Sequence, residues 1–433
     1  MIEILDKHNC CGCEACVQVC PRHCISFDED IEGFHYPLVD KTVCIDCGLC
    51  ERVCPVLNQA EERPPLKVYA AKNKNEEELL ASSSGGLFIL FAKAILQKNG
   101  VVFGAKFDEI WNVVHSYAET EEGVKAFMGS KYVQSRIGST YKEAKEFLDA
   151  GRQVLFSGTS CQIAGLKRYL RKEYDNLLTV DVICHGVPSP KVWRMYLAEI
   201  RRSARKGKNS VSLPLTHNSS EGDSHNEWMR ITRISFRDKL LGWEKFSFAL
   251  TLAKASADGK QNTVSLSQIY RENPYMRLFL GDYILRPSCY NCPSKSGTSC
   301  SDVTIADYWK IEKIDLTMYD EKGVGLLIVN TQKGLKLSEN ISFILKESKL
   351  SDIQLSNPSY YKSHQEPLKR NKCFQKINSN KCESIQEIVN QMYRRSLYQR
   401  VKNKIKKIIK NKLSSLLYIQ FKHYIDRFIM SIS

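Results

Sequence analysis

The sequence has no long apolar run. Residues 87–96 form the best candidate, but they include Lys93 and fall well short of the roughly 20 apolar residues that a membrane-spanning helix needs. Residues 1–10 also lack the apolar core of a secretory signal. With 43% hydrophobic and 26% charged residues in 433, the composition is that of a globular protein of two or three domains. These features predict a soluble, cytoplasmic chain.

Acidic residues are nearly missing from the C-terminal end. Residues 394–433 hold 11 Lys and Arg but only one acid, whereas residues 1–60 hold 4 Lys and Arg and 10 Asp and Glu. Between Val401 and Phe428, apolar residues at helical spacing alternate with lysines, which predicts a basic amphipathic helix. Such a helix can lie on the anionic inner surface of a membrane or pack against its own domain. No nucleic-acid-binding motif accompanies the charge, so we expect no nucleic acid as a partner.

Cysteine, by contrast, is abundant, with ten of the 17 cysteines between Cys10 and Cys54. In a reducing compartment such density indicates metal or redox chemistry rather than disulfides. Two runs repeat the pattern C-x2-C-x2-C-x3-C-P, in which three cysteines hold one 4Fe–4S cluster and the fourth reaches the other cluster. This crossed pattern assigns one cluster to Cys10, Cys13, Cys16 and Cys54, and a second to Cys44, Cys47, Cys50 and Cys20.

Zinc is the alternative occupant of these cysteines. Structural zinc sites, however, use paired C-x2-C units rather than triplets followed by a C-P partner. Cys11 and Cys24 fall outside the pattern and are expected to be ordinary thiols. The segment resembles bacterial two-cluster ferredoxins over about 55 residues, which implies an electron-transfer domain.

Strands and helices alternate in the middle of the chain. Residues 154–156 and 177–183 are predicted strands, and they end in small-residue loops that carry Cys161 and Cys184. In an α/β sheet the carboxyl ends of the strands form the ligand crevice. The C-x2-C pair Cys289 and Cys292 would complete a set of four ligands, although half of a zinc knuckle has the same spacing. A lone cysteine is also often a small buried apolar residue.

Two polar segments are candidates for phosphate binding. Ser84, Gly85 and Gly86 precede a helical apolar pattern, and the N–H groups at a helix N-terminus can hold an anion. Plain helix capping by the serines is the alternative. Residues 129–135 place Lys131 beside Tyr132 among small polar residues, which suits either phosphate binding with ring stacking or a solvated turn.

These ordered motifs resemble the coenzyme F420 hydrogenase/dehydrogenase beta-subunit family over roughly residues 1–335. The matching motifs are Ser84-Gly85-Gly86, 129–132, 158–162, 184–190 and 286–292. The resemblance implies FAD, bound through Ser84, Gly85, Gly86, Lys131, Tyr132, Gln134 and Ser135. It also implies a third 4Fe–4S cluster on Cys161, Cys184, Cys289 and Cys292. The chain departs from the family pattern at Ser160, where proline is usual, and at Ala306 and Lys310, where glycine is usual.

The predicted fold class is α+β. A two-cluster ferredoxin-like domain covers residues 1–60. An α/β flavin-binding domain follows, with its N-terminal part at 66–150 and its C-terminal part, bearing the third cluster, at 151–335. Residues 336–433 form a variable region that ends in the basic amphipathic helix.

The predicted function is that of an oxidoreductase. It passes electrons between 4Fe–4S clusters and FAD, to or from a carrier (ferredoxin or a deazaflavin or nicotinamide coenzyme) and an unidentified organic substrate. Candidate catalytic residues are His185, as a proton donor, and Lys131, which would neutralise charge on flavin or phosphate.

Two alternatives stay open. One is a non-catalytic electron-transfer subunit that docks on a separate hydrogenase, dehydrogenase or polysaccharide-biosynthesis enzyme, and the other is a member that has lost its flavin. A redox partner protein or a reduced carrier is expected for the enzyme and for the electron-transfer subunit.

Overall fold

The computed structural model describes residues 1–205, 230–255, 261–379 and 384–394. Met1–Ile385 form one unit, and Gln386–Ser433 form a second, described as far as residue 394. The predicted basic helix at 401–428 therefore lies outside the described residues. Among the residues that are described, no helix is long and apolar enough to cross a bilayer.

Strands and helices follow one another along the described chain. The strands are β1 (Ile25–Glu29), β2 (His35–Val39), β3 (Lys67–Asn73), β4 (Val101–Phe107), β5 (Val113–Ala118), β6 (Val154–Thr159), β7 (Leu177–Val182), β8 (Arg230–Asp238), β9 (Ser247–Ala255), β10 (Gln261–Ile269), β11 (Val303–Asp307), β12 (Gly325–Val329) and β13 (Phe343–Glu347). The α-helices are α1 (Ala15–Val19), α2 (Leu49–Arg52), α3 (Glu76–Ala81), α4 (Leu87–Leu96), α5 (Glu121–Lys125), α6 (Thr140–Asp149), α7 (Ser160–Leu170), α8 (Pro190–Arg205), α9 (Pro274–Leu280), α10 (Ile311–Ile314), α11 (Gln332–Glu339), α12 (Leu350–Ser356), α13 (Arg370–Ile377) and α14 (Ile385–Met392). Short 3₁₀ helices lie at Lys7–Asn9, Pro287–Asn291, Leu316–Met318 and Pro358–Tyr360.

A mixed eight-stranded sheet dominates the first unit, in the order β13-β3-β12-β11-β7-β6-β4-β5. Its centre is parallel, through the pairs β4–β6, β6–β7 and β7–β11, while the outer pairs are antiparallel. The strands predicted at 154–156 and 177–183 are β6 and β7 of this centre. Smaller antiparallel sheets are formed by β1 and β2 and by β8, β9 and β10.

Helices cover both faces of the large sheet because its central strands are apolar on both sides. Val101 and Phe103 pack with α6 and α7 on one face, whereas Val102, one residue out of phase, packs with α4 on the other. Alternate residues of a strand point to opposite faces, so a continuous apolar run predicts this double burial.

The N-terminal domain, residues 1–60, packs against α7. Gly165 of α7 makes the close approach feasible, since a Cβ there would lie 3.0 Å from Cys13 Sγ. The buried Glu14 carboxylate accepts hydrogen bonds from Arg136 Nε and Ile137 N, both at 2.9 Å. The structure is thus a mixed α/β fold, and its large sheet also includes β13, beyond residue 335.

Candidate functional site

The inner cysteine set comprises Cys10, Cys13, Cys16 and Cys54. The loop through its first three members is tight because Glu14, with φ 59°, adopts the left-handed conformation just before α1. Burial raises the pKa of Cys16, and the neighbouring Cys10 and Cys54 thiols raise it further. Cysteines of the first run and Cys54 of the second run are therefore neighbours. This arrangement is required if each cluster takes three ligands from one run and the fourth from the other.

The outer cysteine set comprises Cys20, Cys44, Cys47 and Cys50, which line one cavity of about 20 Å³. Ile2 N donates to Cys50 Sγ at 3.3 Å, and Asp46 N donates to Cys44 Sγ at 3.4 Å. Cys47 is exposed. Cys24, expected to be an ordinary thiol, also lines this cavity, and its Sγ lies 3.4 Å from Cys20 Sγ.

The third cysteine set comprises Cys161, Cys184, Cys289 and Cys292, which line a cavity of about 40 Å³. Cys161 lies in the first turn of α7 after β6, and Cys184 follows β7, so both come from carboxyl ends of central strands. Burial raises the pKa of Cys184 to about 12, against the opposing effect of Lys295. Burial and then the nearby Cys184 thiol raise the pKa of Cys289. Four converging thiols fit a 4Fe–4S cluster here, as in the other two sets.

Cys11 links the N-terminal domain to the third set. It is 7% exposed and lines the same cavity as Cys161 and Cys289. Hydrogen bonding with Cys13 raises its pKa and hydrogen bonding with Cys161 lowers it, and with burial the pKa stands well above its usual value. The inner and third sets are therefore bridged by one side chain, which the cysteine spacing did not reveal.

A larger cavity of about 720 Å³ adjoins the third set, within the range typical of cofactor sites. Cys184 and His185 line both cavities. Most of the predicted flavin and catalytic residues line the larger one: Ser84, Gly85, Gly86, Lys131, Tyr132, Ser135 and His185. The structure thus brings together Ser84 and His185, which are about a hundred positions apart in sequence.

Gln134 does not line this cavity. Its Nε2 donates to Cys11 O at 3.2 Å, and its Oε1 accepts from Arg286 Nη1 at 3.1 Å. The side chain therefore faces the N-terminal domain rather than the predicted flavin site. The sequence motif alone could not show this, because both contacts are long-range.

The serines before α4 do not cap that helix. Its N-cap is Gly86, with φ +73° and no side-chain cap among the described residues. Ser83 Oγ instead accepts from Ser130 N at 2.6 Å, and Ser84 Oγ donates to Val324 O at 3.0 Å. The first turn of α4 therefore presents uncapped N–H groups beside the cavity, which suits a phosphate group.

Lys131 lies on the cavity wall with its Nζ directed at backbone carbonyls. Nζ donates to Met128 O at 3.0 Å and to Gly129 O at 3.1 Å. Burial lowers the pKa of Lys131 to about 7. An anionic group bound in the cavity would raise this pKa and favour the protonated amine.

An arginine and aromatic rings form a further part of the wall. Arg237, on β8, donates to both Asp307 oxygens, at 2.7 and 2.9 Å. Its guanidinium lies 4.2 Å from the Phe246 ring centroid and 5.1 Å from that of Trp309. Sequence patterns offered no signal for Arg237.

Lys310, the residue after Trp309, has a φ of 62°, in the left-handed region. A glycine, which is usual at this position in the family that the sequence resembles, would be less strained there.

Two polar atoms of the cavity-lining residues, His115 Nδ1 and Arg237 Nε, have no hydrogen-bond partner in the part of the chain that the structure describes. His115 Nε2 lies 3.1 Å from Ser157 O, and burial lowers the pKa of the ring to about 4. Unpartnered buried groups are uncommon in proteins. The features that fit a bound dinucleotide such as FAD are the size of the cavity, the first turn of α4 and Lys131.

His185 belongs to a small polar cluster at the boundary of the two cavities. Its Nε2 lies 2.7 Å from Asp282 Oδ1, and His364 Nδ1 lies 3.4 Å from Asp282 Oδ2. Burial lowers the pKa of His185, although the hydrogen bond to Asp282 opposes this. Asp282 and His364 were not predicted, because neither lies in a motif.

Comparison with known proteins identifies two domains. Residues 151–351 match the family that describes the C terminus of the coenzyme F420 hydrogenase/dehydrogenase beta subunit, and residues 9–58 match the 4Fe-4S dicluster domain. The resemblance found in the sequence is therefore confirmed for these two segments, and the first of them along the chain is a 4Fe-4S dicluster domain. No curated relative matches the chain.

Among the solved structures similar to this chain is a chain from the F420-reducing NiFe hydrogenase complex of Methanosarcina barkeri, with 15% sequence identity and a TM-score of 0.39. The alignment covers 81% of this chain and 95% of that chain.

Proposed function

We propose that this chain, with a dicluster domain at 9–58 and the beta-subunit family domain at 151–351, is an iron–sulfur flavoprotein oxidoreductase. It would pass electrons between three 4Fe–4S clusters and FAD, to or from a carrier and an organic substrate. The observation that carries the proposal is the shared wall of the two cavities, where Cys184 and His185 face both. Clusters transfer electrons one at a time, whereas organic substrates exchange them in pairs. A flavin can do both, so it can connect the clusters to the substrate.

The chain's own residues have distinct roles in this proposal. The first turn of α4 and Lys131 hold the anionic part of the cofactor. Arg237, paired with Asp307, and the aromatic rings beside it form the far wall of the cavity and exclude water from it. His185, held by Asp282, keeps an exchangeable proton at the boundary with the third set.

Anaerobic purification and reconstitution test the proposal directly. We expect about twelve irons per chain, four for each cluster, together with one extractable FAD. Cys373→Ala is the matched control, because Cys373 is buried in α13 away from the three sets and should leave both values unchanged. A colourless protein, or one with iron but no flavin in repeated preparations, would refute the flavoprotein assignment.

The same material separates an enzyme from an electron-transfer subunit. Reduction of the bound flavin by a deazaflavin or nicotinamide coenzyme, with no added protein, is the result expected of an enzyme. Reduction that occurs only through an added redox partner would show that the chain is a subunit that serves another catalyst.

The affinity for FAD should depend on pH through Lys131. In the protein without FAD, burial lowers the pKa of the Lys131 amine to about 7. An anionic ligand bound nearby favours the protonated form of the amine and so raises this pKa. Below pH 7 the amine is already charged, so affinity is constant. Above pH 7 binding must take up a proton, so affinity falls up to about tenfold per pH unit.

Fluorescence titrations of the flavin-depleted protein between pH 6.5 and 9 measure this effect. Lys131→Arg keeps a charge throughout the range and should bind with a flat pH profile. This control also separates Lys131 from Lys239, whose pKa burial likewise lowers to about 7. An unchanged slope in Lys131→Arg would show that another group is responsible.

A further inference from the structure

Arg286 is a fully buried cation between the N-terminal domain and the third cysteine set. Its exposed fraction is 0%, and no carboxylate within the described residues forms an ion pair with it. An isolated buried charge is strongly unfavourable unless an opposite charge compensates it. The compensating charge must therefore come from another kind of group.

The contacts of Arg286 point to that group. Nε donates to Cys10 O at 2.6 Å, and Nη2 donates to Cys10 Sγ at 3.4 Å. The other acceptors, His35 O at 2.9 Å and Gln134 Oε1 at 3.1 Å, are neutral. Among the described residues, Cys10 Sγ, a predicted cluster ligand, is thus the one hydrogen-bond acceptor of this guanidinium that can carry negative charge.

The surrounding chain is shaped to hold the guanidinium. Gly12 has φ +73°, and a Cβ there would lie 2.8 Å from Arg286 Nη1 and 2.6 Å from Gln134 Nε2. The ring of Tyr36 lies beneath the guanidinium, with its centroid 4.3 Å away. The loop that carries Cys10 and Gly12 therefore packs directly against the Arg286 guanidinium.

The outer set has no comparable buried cation among the residues the structure describes. Arg52 Nη2 donates to Cys47 O at 3.0 Å, but this hydrogen bond lies at the exposed surface. The N-terminal amine is paired with Asp46 and Glu51 at 2.7 and 3.3 Å. Water and counterions screen exposed charges much more than buried ones.

We propose that Arg286 raises the reduction potential of the inner cluster above that of the outer cluster, so that electrons move inward from the exposed Cys47 side. Reduction adds one negative charge to a cluster, so a buried cation and a hydrogen bond to a ligand sulfur both favour the reduced form. This inference rests on the proposed function for its direction of flow, but the potential itself is independent of the flavin.

Redox titration of the reconstituted full chain, followed by electron paramagnetic resonance, tests the inference. Arg286→Met should lower the reduction potential of the inner cluster by at least about 59 mV. For a one-electron couple this shift corresponds to a tenfold change in the redox equilibrium constant. Arg52→Met, next to the outer set, is the matched control and should shift none of the three cluster signals by that amount. The inner signal is assigned by its loss in Cys16→Ala.

Arg286→Lys provides a second test if the methionine variant takes up too little iron. A lysine keeps the charge but loses the planar fork that reaches Cys10, His35 and Gln134 together, so a smaller shift in the same direction is expected. Unchanged potentials in a variant with full iron content would overturn the inference. Iron and flavin are counted on the same samples, so a missing flavin would refute the proposed function without affecting this result.

Discussion

Serine in place of Cys289 is expected to remove about four irons per chain and to leave the other eight in place. Cys289 lies on the wall of the third cavity, and Val187 N donates to its Sγ at 3.4 Å. A serine oxygen is a poor ligand for iron in such a cluster, whereas the inner and outer sets lie entirely within residues 1–60. Reduced ferredoxin should then reduce the two remaining clusters but no longer bleach bound flavin.

Iron and acid-labile sulfide analysis, together with stopped-flow absorbance, measures both effects. Cys300→Ser is the control, because Cys300 lies on the neighbouring loop but does not line the third cavity. Full iron content in Cys289→Ser would show that the third set does not hold a cluster. Full flavin reduction after loss of four irons would show that the third set is not on the electron path.

Arg237→Met should destabilise the protein by about 3–5 kcal/mol, since it leaves the Asp307 carboxylate without its buried partner. The Arg237 side chain is 3% exposed and that of Asp307 is 17% exposed. Burial disfavours the Arg237 charge, but Asp307 more than offsets this and raises the pKa of Arg237. Trp243 Nε1 also donates to Asp307 Oδ1 at 2.7 Å, so the pair anchors the cavity wall.

Urea unfolding followed by circular dichroism measures the loss. Arg233→Met on the same strand is the matched control: its pair with Asp238 spans 3.3 Å, and its side chain is 64% exposed. Exposed ion pairs contribute about 0–1 kcal/mol, so this change should be nearly silent. Equal losses in the two variants would contradict the role assigned to the Arg237–Asp307 pair.

The sequence predicted the fold best where contacts are local. The strands β6 and β7 followed from continuous apolar runs, because a strand buried on both faces needs apolar residues on both. The same reasoning could not predict that Gln134 faces Arg286, because the two residues are 152 positions apart. Nor could it predict that Ser83 and Ser84 bond to Ser130 and Val324 rather than cap α4.

By itself, the sequence determined that residues 9–58 form a ferredoxin-type dicluster domain. The loop that binds a cluster is short, so the size of the cluster dictates the spacing of its cysteines along the chain. Family resemblance added the prediction of a third set, formed by Cys161, Cys184, Cys289 and Cys292. Only the tertiary structure decided what surrounds them: Cys11 between two sets, and Arg286 against Cys10 from 276 positions away. Such placements depend on how separate segments pack, and packing between distant segments leaves no regular spacing in the chain.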